Sequence, residues 1–448
     1  MKIRAVRGMN DILPEEARSW HRVEASFRGV AELFGYGEVR TPIIEDTALF
    51  SKQIGETSDV VEKEMYSFRR HDNELTVRPE GTAGAARAYV EHAMWGKESV
   101  SRWYYVGAMF RGERPAKGRY RQFHQAGCEL YGDAGPVADA EMIELCVRVL
   151  ASLSITDIKV HLNSLGSGPS SEGEANVGTR ARYKAALLDY LLPRSSELSE
   201  DSQRRLEKNP LRILDSKDPR DQAIAKDAPS ILDVLSTEDS EHFSGVQRSL
   251  TALGIPFVVD PRLVRGLDYN TRTLFEIKAE GADLGSQSTV CGGGRYDNMV
   301  ESLGGPKTPA IGFAMGLERL LIAHRAAVGA ASEPAFKPVV YIASLKPESG
   351  DPSAGLDLAL SLARELRDRG VRCDIDSREA KLKAMLRRAD ASKARLCVII
   401  GDEEIAKNEF TVKDLANKAQ EKLPRADAVQ WIASRLATPA SAPAEEPQ

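Results

Sequence analysis

The sequence has few of the residues that build cross-linked or membrane-spanning proteins. It contains five cysteines and seven histidines in 448 residues. They are too scattered for a disulfide framework or a zinc site, so we expect no metal held by side chains. No apolar stretch approaches the roughly 18–20 residues that span a bilayer, so a membrane partner is not expected. The start, residues 1–11, lacks an apolar signal-peptide core, which predicts a cytoplasmic protein.

The bulk composition is that of a globular protein. Hydrophobic residues make up 42% and charged residues 28% of the chain, and the length predicts two to four domains. The formal net charge is −5, which gives no global electrostatic reason for a nucleic-acid partner. Any such partner must therefore be argued from a local basic patch.

The first part of the chain alternates between helix and strand patterns. Apolar residues at spacings of three and four predict an amphipathic helix over 15–34. Pro42 follows in a strand-like segment, which predicts an edge strand or a strand at an interface. Residues 103–110 and 121–131 predict two strands of a hairpin, with a basic, mobile tip at 111–119.

The later part changes character twice. Residues 166–242 are charged and helical in pattern and predict an insertion. Beyond a Pro- and Ala-containing linker, strands at 339–345, 371–376 and 396–400 alternate with helices at 356–369 and 378–395. This order predicts a small α/β domain with a mainly parallel sheet. We therefore divide the chain into a first domain at 1–325 interrupted by the 166–242 insertion, a linker at 326–337, an α/β domain at 338–436 and a disordered tail at 437–448.

The hairpin carries the first sign of chemistry. Strand side chains alternate, so Phe123, Gln125 and Glu129 share one face, and Gly127 leaves a gap between them. An aromatic ring, an amide and a carboxylate on one face predict the floor of a ligand site. A solvated hairpin with surface ion pairs is the alternative that this pattern alone leaves open.

Three motifs together resemble those of class II aminoacyl-tRNA synthetases. The hairpin, with Phe110–Glu113, its basic loop and the aromatic return strand, is similar to motif 2. The Pro42 segment is similar to motif 1, and Gly312–Leu320 is similar to motif 3. The class I signatures and a GxxxxGK[ST] phosphate loop are absent. The resemblance implies an α+β catalytic core with an antiparallel sheet and, through motif 1, a homodimer.

Four further segments are similar to the histidyl-tRNA synthetase family within that class, and the resemblance covers about residues 1–425. They are Arg7–Pro14, Arg78–Gly84, Leu263–Thr273 and Cys291–Asp297. The family implies activation of L-histidine with ATP and Mg²⁺, transfer to tRNA(His), and an anticodon-binding role for the C-terminal α/β domain. Adenylation is mainly a matter of positioning and charge stabilisation, which favours arginines.

The resemblance also implies the site residues. Arg111, Arg265 and Arg319 would be catalytic. Arg111 and Arg265 would bind the α-phosphate, and Arg319 would hold the γ-phosphate or cover the adenine. Glu113 and Phe123 would bind the adenine. The residues implied for histidine binding are Glu80, Gly81, Thr82, Arg111, Gln125, Glu129, Arg265, Tyr269, Asn270 and Tyr296.

One position departs from the family pattern. The family reads Leu-Asp-Tyr-Tyr where this chain has Leu267, Asp268, Tyr269 and Asn270. The second family tyrosine is expected to face one imidazole nitrogen. Asn270 can donate or accept there, but its side chain is shorter, so a bridging water or a shifted pocket would have to compensate.

Two basic segments suggest contact with RNA: the hairpin loop Arg114–Arg119, which the resemblance places at the acceptor end of the tRNA, and a segment near the C-terminus. Residues 378–395 contain seven Lys or Arg and two acids, so the segment carries 7 − 2 = +5. A solvated face is the ordinary meaning of such a run. After a synthetase-like core, contact with tRNA phosphates becomes the better interpretation.

Two other functions remain open from the sequence. One is a non-catalytic, synthetase-like regulatory subunit of histidine biosynthesis, although such proteins lack the C-terminal domain and lose the arginine set. The other is an AMP-forming ligase with a different acceptor, against which the basic C-terminal segment counts.

Overall fold

The structure is a computed structural model, which describes residues 3–54, 60–167, 178–214, 216, 218–264, 269–281, 284, 288–329, 339–348, 351–378 and 380–437. The chain forms two compact units, Met1–Glu333 and Pro334–Gln448. Among the described residues, no helix is both long and apolar enough to cross a membrane.

The first unit is built on a large antiparallel sheet. Its strands are β1 (Gly37–Glu38), β2 (Ile44–Asp46), β3 (Tyr66–Arg70), β4 (Asn73–Val77), β5 (Ser101–Phe110), β6 (Gln122–Tyr131), β7 (Ile158–Ser164), β8 (Phe257–Val259), β9 (Thr271–Ala279), β10 (Thr289–Arg295) and β11 (Ala310–Gly316). Eight of these form one sheet in the order β1-β5-β6-β11-β10-β9-β7-β8, in which only the outermost pairings, β1 with β5 and β7 with β8, are parallel. Strands β2, β4 and β3 form a separate antiparallel sheet.

Four of the described helices cover one face of the large sheet, and the site lies on the opposite face. The helices of this unit are α1 (Pro14–Leu33), α2 (Thr47–Ile54), α3 (Thr82–Glu91), α4 (Pro136–Ser152), α5 (Thr179–Leu191), α6 (Glu200–Lys208), α7 (Pro219–Ala225), α8 (Thr237–Ala252), α9 (Met299–Ser302) and α10 (Leu317–Val328). Phe27 of α1, Ile143 of α4, Val246 of α8 and Leu320 of α10 pack in one core against the sheet. The helix predicted over 15–34 is α1, whose proline at the first position suits a helix start.

Three predicted features of this unit differ in the structure. Pro42 lies in no strand, because β1 ends at Glu38 and a proline has no N–H to continue the ladder. The insertion end placed at 242 falls inside α8, which begins at a Ser236 cap and runs on into the main core without a break. The linker start placed at 326 falls inside α10, which ends at Val328, before Gly329 with φ of 79°.

The second unit is a smaller α/β layer structure. Its elements are β12 (Val340–Ser344), α11 (Ala354–Asp368), β13 (Cys373–Asp376), α12 (Leu382–Ala391), β14 (Leu396–Ile400), α13 (Asp402–Lys407), β15 (Glu409–Asp414), β16 (Gln420–Pro424) and α14 (Arg425–Ala437). The sheet order is β13-β12-β14-β15-β16.

Two expectations for this unit are corrected. The sheet is mixed rather than mainly parallel, because β15 and β16 follow as an antiparallel meander with no crossover helix between them. The basic helix is also shorter than 378–395, since α12 begins at Leu382 and the left-handed Lys393, with φ of 57°, follows its end. Residues 438–448 of the predicted tail lie outside the described residues.

Candidate active site

The open face of the large sheet carries the three side chains predicted on the hairpin. Ala126, Cys128 and Leu130 of β6 point into the helix-covered core. Strand alternation therefore places Phe123, Gln125 and Glu129 on the opposite face.

Glu129 lies at the bottom of this face and is fully buried. Its carboxylate accepts a hydrogen bond of 2.7 Å from the Thr82 hydroxyl and another from the Tyr296 hydroxyl. Burial raises the pKa of the Glu129 carboxyl to about 8. Gly312 lies opposite Glu129 in the sheet, and a Cβ there would collide with the carboxylate. The sheet thus makes room for one buried acid.

The segment Glu80–Thr82 forms one wall, at the start of α3. The Glu80 carboxylate accepts from the backbone N–H groups of Thr82 at 2.8 Å and Ala83 at 2.7 Å, and so caps this helix. Gly81 has no room for a side chain, because a Cβ would meet the ring of Tyr105. Burial raises the pKa of Glu80. The segment therefore brings a second acid and a hydroxyl to the same pocket.

Tyr105 is a pocket residue that the sequence reasoning missed. It is 6% exposed on β5, opposite Gly127, whose missing side chain leaves space for the tyrosine hydroxyl. That hydroxyl lies near Glu129 and Thr82. It has no hydrogen bond of ordinary geometry within the described part of the chain. The signal that could have found it is the pairing of the glycine on β6 with an aromatic residue on the preceding strand.

Gln125 presents a second buried polar atom without a partner. Its Oε1 atom is inaccessible to solvent and makes no hydrogen bond to the described residues. Buried polar groups are nearly always satisfied in folded proteins. Two such oxygens, on Gln125 and Tyr105, on the same face of the sheet mark a place where a ligand with polar groups would bind.

The segments that contain Asn270 and Tyr296 meet at the far side of the pocket. The Tyr269 and Tyr296 rings pack edge to face at 5.8 Å. Asn270 is buried, and its Nδ2 donates to the Arg295 carbonyl at 3.3 Å. The amide donor of Asn270 is therefore taken up by the pocket wall.

Arg111 lies over the Phe123 ring, where the adenine is predicted to stack. Its Nε donates to the Pro79 carbonyl at 2.9 Å, and its guanidinium lies 5.4 Å from the centre of the Phe123 ring. Glu113 forms an ion pair with Arg119 and lies 3.8 Å from Arg111. The structure thus brings Arg111, Glu113 and Phe123 together, with the arginine on the ring.

Arg319 hydrogen-bonds the tip of the β5–β6 hairpin and the start of β10. Its Nη1 donates to the Thr289 carbonyl at 2.8 Å and its Nε to the Gly118 carbonyl at 3.2 Å. Gly118 has φ of 68°, which only glycine adopts easily. The third predicted arginine, Arg265, lies outside the described residues, as do the other residues of 265–268.

The basic segment of the second unit is partly neutralised. Asp376 is buried at the end of β13 and accepts from Arg378 Nε at 3.0 Å, Arg388 Nε at 2.6 Å and the Tyr341 hydroxyl at 2.7 Å. Two of the seven predicted cations are therefore oriented by a carboxylate that the charge count left out, because it lies before residue 378.

Known proteins share this fold. A crystal structure of apo S. aureus histidyl-tRNA synthetase matches with a TM-score of 0.76 at 32% identity, covering 96% of this chain and 100% of that one. The core is thus of the class II synthetase type, with a C-terminal anticodon-binding domain, as predicted.

Sequence comparison identifies the family within this class. The histidyl-tRNA synthetase family model matches residues 8–320, and the anticodon binding domain matches residues 340–435. A histidine–tRNA ligase of Sorangium cellulosum is 59% identical over 97% of each chain. Another, from Picosynechococcus sp., is 48% identical over 95% of each chain. The chain belongs to the histidyl-tRNA synthetase family.

Proposed function

We propose that the protein is a histidine–tRNA ligase that forms histidyl-adenylate from L-histidine and ATP, and then transfers histidine to the 3′ end of tRNA(His). The observation that supports histidine as the substrate is Glu129, a buried acid at the bottom of a pocket with unsatisfied polar atoms. The full-length match to named ligases disfavours the regulatory-subunit alternative.

Different pocket residues bind different groups of the histidine molecule. Glu129 faces the imidazole and accepts or shares its ring proton, with Tyr296 holding the carboxylate from behind. The substrate ammonium binds near Glu80, Thr82 and Gln125, whose buried Oε1 needs a donor. A site that hydrogen-bonds a side chain in this way rejects analogues lacking the group, because its own polar atoms are then left unpaired.

Other positions complete the histidine site. Gly81 lets the backbone approach the bound amino acid closely. Tyr269 lines the pocket beside Tyr296, on the imidazole side. Asn270 forms part of the pocket wall through its contact with the Arg295 carbonyl. Arg265 is proposed to bind the α-phosphate and the substrate carboxylate. That role rests on its motif alone.

ATP is proposed to bind along the hairpin. Phe123 stacks on the adenine, Glu113 accepts from the adenine amino group, Arg111 grips the α-phosphate and Arg319 holds the γ-phosphate. Since Arg111 lies over the Phe123 ring in the structure, the nucleotide must displace it from that ring. A planar guanidinium suits the phosphate it would then reach.

Mg²⁺ is proposed to arrive with ATP, held by the phosphates rather than by side chains of the protein. When bound, it neutralises charge on the leaving pyrophosphate. In the described ranges, no group of three or more His, Cys, Asp or Glu side chains is arranged to hold a metal ion. Glu113 is already engaged by Arg111 and Arg119. The phosphates themselves are therefore the ligands that fit the ion.

A homodimer is proposed through the small sheet. Thr76 of β4 is fully buried under one face of that sheet. Residues of the other face include Ile44 and Phe68, which are 47% and 42% exposed. An apolar sheet face next to the motif 1 segment suits a second copy of the chain.

The tRNA is proposed to contact the second unit through its basic segment and the first unit through the hairpin loop. Arg378 is 65% exposed although it is anchored on Asp376, so its guanidinium can still meet a phosphate. We place the enzyme in the cytoplasm, and none of its five cysteines forms a disulfide.

Aminoacylation of bulk tRNA tests the complete reaction. The full-length protein is incubated with ATP, Mg²⁺ and each radiolabelled amino acid in turn, and acid-precipitable label is counted. Label from histidine alone is expected. Histidine-dependent adenylate without charging of tRNA would instead support a ligase with another acceptor.

A further inference from the structure

A buried ionic cluster lies on the helix-covered side of the sheet, directly behind the imidazole pocket. Arg295 at the end of β10 is fully buried, and its Nη2 lies 2.6 Å from Asp139 Oδ1. Its Nε donates to Asp139 Oδ2 at 3.0 Å. The His242 Nε2 lies 2.9 Å from that same Asp139 oxygen. Helices α4 and α8 therefore meet β10 at a charged contact.

The guanidinium also holds the loop before α4. Nη1 donates to the Asp133 carbonyl at 3.0 Å, and Nη2 donates to the Gly135 carbonyl at 3.0 Å. Nη1 also lies 3.3 Å from Asp297 Oδ1. Arg295 thus bridges one loop, one helix and the turn that follows its own strand.

The next residue after Arg295 is Tyr296, which points into the pocket and donates to Glu129. The backbone between them is fixed from two sides. Asn270 Nδ2 binds the Arg295 carbonyl, and the Tyr296 N–H donates to the Ala310 carbonyl at 2.9 Å. Because Arg295 and Tyr296 share one peptide unit, a backbone shift at Arg295 would also move the tyrosine that holds Glu129.

Stability alone does not explain such a cluster. Removing a guanidinium and a carboxylate from water is unfavourable, and well-packed apolar residues often stabilise a fold as well or better. What the bidentate contact adds is a defined geometry, because a planar guanidinium accepts few orientations. The cluster's position next to Tyr296 indicates what that geometry serves.

We propose that Arg295, held by Asp139 and His242, is a positioning residue that sets Tyr296 against Glu129 and thereby sets the affinity for the imidazole. The inference rests on the proposed function of the pocket. It predicts that damage to the cluster weakens histidine binding and leaves ATP binding intact, because Phe123 and Arg111 lie away from the cluster's contacts.

The test measures KM for histidine and for ATP by ATP–pyrophosphate exchange, corrected for the number of active sites by titration. The variants are Arg295→Lys, which keeps charge and loses the planar fork, and His242→Phe, which removes the contact that orients the Asp139 carboxylate against Arg295. We expect the histidine KM to rise about tenfold, or about 1.4 kcal/mol, with the ATP KM within about twofold. His242→Gln, which can still donate to Asp139, should recover most of the affinity.

Asp221→Asn is the matched control. Asp221 is an equally buried carboxylate, held by Ser199, Ser202 and Ser216 within the insertion, with no contact to the pocket among its hydrogen bonds. It should lower the Tm without changing either KM.

The outcomes are distinct. A lower Tm with an unchanged histidine KM in His242→Phe would show a structural role only and overturn the proposal, even where Arg295→Lys does not fold. Absence of histidine-dependent exchange by the unmodified protein would instead overturn the proposed function, and this inference with it.

Discussion

Histidine affinity should depend on the proton held by Glu129. The pKa of its carboxyl is raised to about 8 by burial. At pH 7 roughly nine-tenths of empty pockets then hold the protonated acid, and free imidazole with a pKa of about 6.5 is mostly neutral. The protonated Glu129 carboxyl and the neutral imidazole therefore share one proton in one hydrogen bond. Binding at this pH neither releases nor takes up a proton.

Histidine affinity should fall both below and above neutral pH, for different reasons. Below about pH 6.5 the free imidazole gains a second proton that must leave on binding, so affinity falls by up to about tenfold per pH unit. Above a pH of about 8 the Glu129 carboxyl is ionised. A neutral imidazole then leaves a buried charge unbalanced, or a proton has to be taken up. Affinity should fall again by a similar factor.

The assay is the histidine KM in ATP–pyrophosphate exchange from pH 5.5 to 9.5, with the ATP KM at each pH as reference. Glu129→Gln is the matched variant, since it keeps the shape and cannot titrate. It should bind histidine more weakly at neutral pH and keep the acidic fall. Its alkaline fall should be smaller but not absent, because the substrate ammonium also loses its proton in that range. An alkaline fall of the same size in Glu129→Gln would refute the assignment of that proton to Glu129.

Four further substitutions probe other parts of the account. Gly312→Ala puts a Cβ into the Glu129 carboxylate, so adenylation should fall by at least about 100-fold with a folded protein by circular dichroism; normal activity would show that Glu129 is free to move. Asn270→Asp sets a carboxylate against a carbonyl, so the histidine KM should rise; an unchanged KM would remove residue 270 from the pocket wall. Ile44→Asp should convert a dimer to monomer in sedimentation, and an unaltered dimer would place the interface elsewhere. Asp376→Asn should raise the KM for tRNA while pyrophosphate exchange is unchanged, and an unaltered tRNA KM would assign the arginines there to folding alone.

Local periodicity predicted the elements that bear the site. The amphipathic stripe predicted α1 to within one residue at each end, and strand alternation placed Phe123, Gln125 and Glu129 on one face. These patterns depend on neighbours a few residues apart, which a single sequence contains.

The residues that were missed depend on register and on long-range contacts. Tyr105 belongs to the pocket because β5 aligns it with Gly127, and no local pattern gives that alignment. Arg295 is read in sequence as part of a motif, yet its partner Asp139 is 156 residues away. The C-terminal sheet was expected to be mainly parallel because only the strands that alternate with helices were recognised. No helix separates the antiparallel strands β15 and β16, so the pattern did not mark them.

The central claim is that this pocket selects histidine for adenylation. ATP–pyrophosphate exchange by the full-length protein, measured separately with each of the twenty amino acids, tests it most directly. Exchange is predicted with histidine and at background level with the other nineteen. No exchange with histidine, or comparable exchange with several amino acids, would contradict the account.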